Sequence, residues 1–199
     1  MNDKLLLNGN FKSKEIDNWS VSWETYGNYR HWCRQYKTIN LSDKDILIIM
    51  FNPGSLTGNG ERLGSDTTLR ILRTVFENLQ YNCLVTNLFD YSTTKPADLI
   101  SEKWQEIDRE GIPLIYERLN YDKIVAYMFA YGNYETWEGV ERNCITKRVK
   151  LIKNFLTGIP EIKYIENKDS LTPKHPYTWQ TEKLIPTVQN NILEIINNI

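Results

Sequence analysis

Cysteine is scarce and odd in number, with Cys33, Cys83 and Cys144 far apart in the chain. No C-x-x-C and no Cys/His pair at zinc spacing occurs, so the thiols read as reduced and buried rather than bridged or metal-bound. Histidine is scarcer still: His31 and His175 are the only two. Neither charge sign prevails, with 24 basic against 25 acidic residues and a net charge of −1. No global field draws such a chain to nucleic acid or an anionic membrane, so polyanion binding has to come from a local patch. Long apolar runs are missing. The opening MNDKLLLNGNFKSKE holds three consecutive apolar residues, too few for a signal peptide or a span. A cytoplasmic protein with no membrane partner is expected. Nucleotide fingerprints are incomplete: Gly58-x-Gly60 lacks its third glycine, and there is no G-K-[ST]. No G-x-S-x-G elbow, carboxylate pair or metal-spaced cluster stands out, so neither cofactor nor metal is expected.

What is there is a chain of 199 residues, 41% of them hydrophobic, enough for one domain spanning 1–199. Residues 1–44 divide into a loose polar arm over 1–18 and an antiparallel hairpin. In the hairpin Trp19, Val21 and Trp23 alternate with polar residues. Tyr26-Gly27-Asn28 turns, and Arg30, Trp32, Arg34 and Tyr36 share one face. Residues 45–199 form the core. Ile46–Phe51 (ILIIMF) is continuously apolar and stops at Asn-Pro-Gly, as a central strand buried on both faces does. A Gly-rich loop over 52–65 leads to a helix capped by Ser65 or Asp66, with Leu69, Leu72, Phe76 and Leu79 at helical spacing. Further strands are predicted at 83–89, 123–129 and 162–166. Helices are predicted at 97–119, interrupted at Gly111-Ile112-Pro113, at 138–156, and at 182–197. Strands alternating with helices imply a Rossmann-like α/β sheet that is parallel, with helices on both faces.

In such a sheet ligands bind beyond the carboxyl ends of the strands. The residues expected there are Asn52, Pro53, Gly54, Ser55, Asn87, Tyr131, Gly132, Lys174 and His175. Asn52 offers a donor and an acceptor, and Gly54 lets a ligand approach closely. Asn-Pro-Gly is also an ordinary turn, and the long loop behind it tips the reading toward function. An imidazole at position 175 suits acid–base work or donation to a developing anion. His31, inside the hairpin, reads as a packing or surface residue. Asp66 and Arg70 form a surface i, i+4 pair or, near the cleft, place Arg70 against a phosphate. Arg142, Lys147, Arg148, Lys150 and Lys153 read as a solvated helix face. Tyr91, Tyr131, Tyr134, Tyr177 and Trp179 are aromatics near the rim, suited to stacking on a base.

Five short motifs occur in order: IIMFNPGS at 48–55, Asp66-Thr67-Thr68-Leu69-Arg70, TNLFDY at 86–91, Ala130-Tyr131-Gly132, and Pro173-Lys174-His175-Pro176. Together they resemble an uncharacterised bacterial and phage domain family over residues 29–180. Gly54 interposes before Ser55, Tyr131 stands where Trp is usual, and Ser170 replaces a Gly. That family in turn resembles a remote branch of the uracil-DNA glycosylase-like superfamily, on the strength of Asn52-Pro53-Gly54 and His175-Pro176. The resemblance implies a three-layer α/β/α fold with a four-stranded parallel sheet, here carrying the N-terminal hairpin. It also implies that Asn52 positions an attacking water and that His175 stabilises a departing base. The function expected is a nucleobase N-glycosidase-type hydrolase acting on DNA or a nucleotide. The alternative is a non-catalytic module that binds a nucleotide or nucleic acid in the same cleft.

Overall fold

The strand Asp45–Met50 (β4) is buried at every position. The computed structural model describes residues 10–26, 29–39, 42–54, 66–93, 99, 112–133 and 142–199. In it β4 lies between Asn82–Asn87 (β5) and Ile124–Phe129 (β6), parallel to both. A strand with both faces covered reads as a largely apolar run, as ILIIM in β4, CLV in β5 and IVAYMF in β6 do. Each large side chain removed from water in this way contributes about 1.5–3 kcal/mol.

The sheet departs from the four-stranded parallel, uracil-DNA glycosylase-like sheet that the sequence suggested. It has six strands in the order β1-β2-β3-β5-β4-β6, and three of its five pairings are antiparallel. The strands Asn10–Ile16 (β1), Trp19–Tyr26 (β2) and Tyr29–Lys37 (β3) form a meander that docks β3 directly on β5. The physical reason is the free edge of β5. Left open, its unpaired N–H and C=O groups would invite association, and β3 covers them. Residues 10–16, expected in a loose arm, thus become the edge strand. Gly27 and Asn28, at the hairpin turn, lie outside the described residues. Residues 162–166 make no strand; Glu161 forms a single parallel bridge to Tyr127 beside β6.

A second correction concerns β3. Trp32 pairs with Glu24 but Arg30 pairs with Thr25, so His31 is an extra residue in the register. Such a bulge flips the alternation. Arg30 therefore leaves the face of Trp32 and joins that of Cys33, instead of sharing one face with Trp32 and Arg34.

Helices cover both faces. Thr67–Phe76 (α1), Pro176–Thr181 (α4) and Ile185–Ile196 (α5) share a core with Trp19, Trp23, Cys33, Ile48, Met50 and Val85. Ile112–Arg118 (α2) and Arg142–Phe155 (α3) pack on the other face with Trp32, Leu47, Phe51, Leu84 and Phe129. Asp66 caps α1, its carboxylate accepting from the Leu69 N–H at 2.7 Å. The predicted helix over 182–197 is α5, which starts at Ile185; the short helix α4, in the stretch read as a loop, precedes it, with Lys183 between the two at φ 56°. Residues 97–98 and 100–111 of the predicted helix over 97–119 lie outside the described residues; α2 starts beside Pro113, where a missing N–H costs nothing.

Candidate functional site

The carboxyl ends of β4, β5 and β6 are laced together. The Leu88 N–H donates to Met50 O at 2.8 Å, that of Phe89 to Phe51 O at 2.9 Å, and that of Ala130 to Ile49 O at 2.8 Å. The loop before α4 joins them: the Gly132 N–H donates to Pro173 O at 3.0 Å. Gly132 has φ 88°, a backbone state that only glycine adopts freely. Asn52, Asn87, Gly132 and His175 thus belong to segments that meet at one rim.

Asn52 is fixed by its amide. Nδ2 donates to Thr93 O at 2.8 Å, and among the described residues no donor takes up Oδ1. Its neighbour Gly54, at φ 62°, accepts a short hydrogen bond from the Ser92 hydroxyl at its carbonyl. Pro53 is buried between them. The stretch 91–93 therefore holds the Asn-Pro-Gly turn in place.

His175 is the N-cap of α4. Its Nδ1 accepts from the Tyr177 N–H at 3.2 Å, so the ring proton sits on Nε2. Burial pushes its pKa down to about 4, and the imidazole is neutral at physiological pH. The result is a neutral donor of fixed tautomer, the form that polarises an anion without first being protonated.

The other expected site residues divide. Asp66 and Arg70 make no ion pair: Asp66 is spent on the cap and Arg70 is exposed. Lys174 turns to Glu182, Nζ to Oε1 at 3.0 Å. Tyr131 is buried on the α2–α3 face, edge-on to Phe129. Tyr177 is exposed and Trp179 buried. Ser55 and Tyr134 lie outside the described residues. Asn87 is fully buried at the end of β5, and among the described residues neither its Nδ2 nor its Oδ1 has a partner.

Three residues that sequence reasoning set aside stand at this rim. His31 Nδ1 lies 2.9 Å from Asp90 Oδ2, the carboxylate being fully buried. Tyr29 stacks on the His31 ring, and Tyr91 stands edge-on to Tyr29. Burial opposes charge on His31, but the hydrogen bond and the charge of Asp90, with Glu24 beyond, outweigh it and raise its pKa above 6.5. Burial likewise pushes the Asp90 carboxyl up, with His31 and Arg148 pulling it back. Arg148, expected on a solvated face, is buried instead. Its Nη1 donates to Leu88 O at 2.7 Å, and its guanidinium lies 4.1 Å from the centre of the Phe89 ring. Asp90 stands inside the TNLFDY motif, yet its partner is 59 residues away and meets it only because β3 docks on β5. Among the described residues, no group of three or more His, Cys, Asp or Glu side chains is placed to hold a metal, and no helix is long and apolar enough to cross a membrane.

A mixed α/β sheet with a polar rim at its parallel strand ends is the class that fold and site define. Within it, the chain belongs to the DUF1643 family, proteins of unknown function, whose match spans residues 29–177. That span takes in the rim from His31 to His175. No curated protein matches in sequence. Among solved structures, Est1E from Butyrivibrio proteoclasticus is similar at a TM-score of 0.38 and 11% identity, covering 96% of this chain and 100% of that one.

Proposed function

We propose that the chain is an N-glycosidase-type hydrolase acting on a nucleobase in DNA or a nucleotide. The observation that carries this reading is the His31–Asp90 pair, placed on the segment that also anchors Asn52. Asp90 accepts the Nδ1 proton of His31, so Nε2 is left as the basic nitrogen. Such a pair takes a proton from water as the water attacks a sugar carbon. The fixed Oδ1 of Asn52 orients that water. The glycosidic bond breaks through an oxocarbenium-like state, and the base leaves with negative charge. A neutral Nε2–H on His175 meets that charge as it develops.

One observation favours the binding-only alternative: Asn52 and His175 each already have a structural duty, as loop anchor and helix cap. The test is release of free base. Purified protein is incubated with nucleosides, nucleoside monophosphates and oligonucleotides carrying damaged or deaminated bases, and products are read by mass spectrometry. Free base is expected from wild type, with a loss of at least 100-fold in Asn52→Ala and His175→Ala. Saturable binding with no base released would replace the enzymatic reading by the binding one. Neither binding nor release would overturn both.

A further inference from the structure

Glu24 lies within β2 and is only 1% exposed. Its strand partner is Trp32, so its side chain is on the face covered by α2 and α3. A carboxylate buried there is costly unless its oxygens are taken up. Both are: Trp32 Nε1 donates to Oε2 at 3.0 Å, and Arg118 Nη1, at the end of α2, lies 3.4 Å from Oε1. Replacing such a group by a well-packed apolar side chain is often neutral or stabilising, so stability alone does not account for it. Its place in the register does. Glu24 with Trp32 is the last regular pair before the bulge, and the next pair, Thr25 with Arg30, skips His31. The indole bond therefore fixes β3 on one side of His31. On the other side the Arg30 N–H donates to Asp90 O at 2.9 Å, and Tyr29 bridges Tyr91. Among the described residues, the charges acting on the imidazole are Asp90 in contact, Glu24 beyond it and Arg118 in opposition, while Arg148 acts on Asp90.

We propose that Glu24 is a positioning residue for His31, which holds the bulge in register through the Trp32 indole and gives the imidazolium a second buried anion besides Asp90. The two carboxylates divide the work. Asp90 fixes the ring and its tautomer by a hydrogen bond. Glu24 fixes the strand that carries the ring and adds its field from farther off. Buried as it is, Glu24 acts through His31 and not on a ligand. A base between two anions takes a proton more strongly, because its charged form is the one they favour. The positioning of His31 stands on these residues alone; its consequence for catalysis rests on the reading of His31 as the base.

The test is NMR titration of the two imidazoles in the full chain, with the base-release assay alongside. Glu24→Gln keeps an acceptor for the Trp32 indole and removes the charge. The His31 pKa should then fall by about half a pH unit or more, with that of His175 unmoved. Glu24→Asp keeps the charge and should lie nearer wild type than Glu24→Gln does. The same Glu24→Gln change in an Arg118→Gln background strands no cation, and should lower the His31 pKa relative to Arg118→Gln alone. That comparison decides the matter even where the single variant does not fold. A His31 pKa that Glu24→Gln leaves in place, or that Glu24→Asp lowers equally, would overturn the proposal. In the release assay the rising limb of Glu24→Gln should move to lower pH, with kcat down by about threefold or more and KM unchanged. A limb that stays while the titration moves would sink His31 as the base and uphold Glu24 as its positioning residue. Absence of base release from wild type would sink the N-glycosidase reading, and the titration would still decide the role of Glu24.

Discussion

His31 and His175 stand on the same rim with opposite electrostatics, and each can be read in its own titration. Asp90 holds the His31 pKa above 6.5, whereas desolvation holds that of His175 near 4. Asp90→Asn removes the charge and leaves burial opposed by Glu24 alone, so the His31 pKa should fall. Two-dimensional NMR of the imidazole resonances would show this, and an unmoved His31 titration would contradict the pairing. The same assignment fixes the pH profile of any hydrolysis. A base must be neutral to act, so the rate should climb as pH rises through the His31 pKa and level above it. His175, already neutral above about pH 4, contributes no limb near neutrality. In Asp90→Asn the rising limb should move to lower pH, together with a loss of rate. A limb that stays in place would assign the base to another residue.

At the scale of elements, legibility divides by whether a signal is local. The strands at 45–50, 82–87 and 124–129 announce themselves because both faces of each are covered, and α1 does so by its spacing and its Asp66 cap. Residues 10–16 carry no such mark. NFKSKEI is an edge strand whose Ser13, Lys14 and Glu15 face solvent, and only its pairing with β2 makes it a strand. The run at 162–166 misled in the other direction: Ile162 is buried, but its pairing beyond β6 stops at one bridge. Of the rim, Asn52, Asn87 and Gly132 were legible because strand ends in a parallel sheet converge, whereas His175 follows no strand and its loop is tied there by the bond from the Gly132 N–H to Pro173 O. The His31–Asp90 pair depends on the docking of β3 and on one bulge, which no local pattern encodes. That docking has its own fastening. Arg34 Nε lies 2.8 Å from Asp45 Oδ1, and Asn82 Nδ2 donates to the same oxygen at 3.0 Å, joining β3, β4 and β5 at their buried ends. Asp45→Ala leaves the Arg34 charge uncompensated and should cost about 3–5 kcal/mol in urea denaturation. Replacing both partners by apolar residues, Arg34→Met with Asp45→Leu, should recover most of that loss. A single variant within about 1 kcal/mol of wild type would show that the pair does not fasten β3.

For the whole molecule, these groups shape stability against pH with signs that can be separated. The folded chain keeps His175 neutral down to about pH 4, while the unfolded chain protonates it near 6.5. Between those values the unfolded state binds the extra proton, so stability falls as pH drops through that window, by on the order of 2–3 kcal/mol at its foot. His31 has the opposite sign. Its folded pKa lies above 6.5, so its contribution is complete below 6.5 and is lost as pH rises through the folded value. Asp45 and Asp90, pushed up by burial, hold protons that the unfolded chain releases above about 3.9, so their cost eases as pH falls and partly masks His175. Because the four groups overlap, the wild-type curve alone does not separate them, but differences between variants do. The urea midpoint of His175→Gln, less that of wild type, should rise steadily as pH falls from 6.5 to 4 and stay flat above 6.5. The corresponding difference for His31→Gln should be flat and negative below 6.5 and shrink toward zero as pH rises past the His31 pKa. If the His175 difference were instead flat from 4 to 6.5, the imidazole would be solvated when folded. It would then not be the neutral, fixed donor on which the reading of this rim depends.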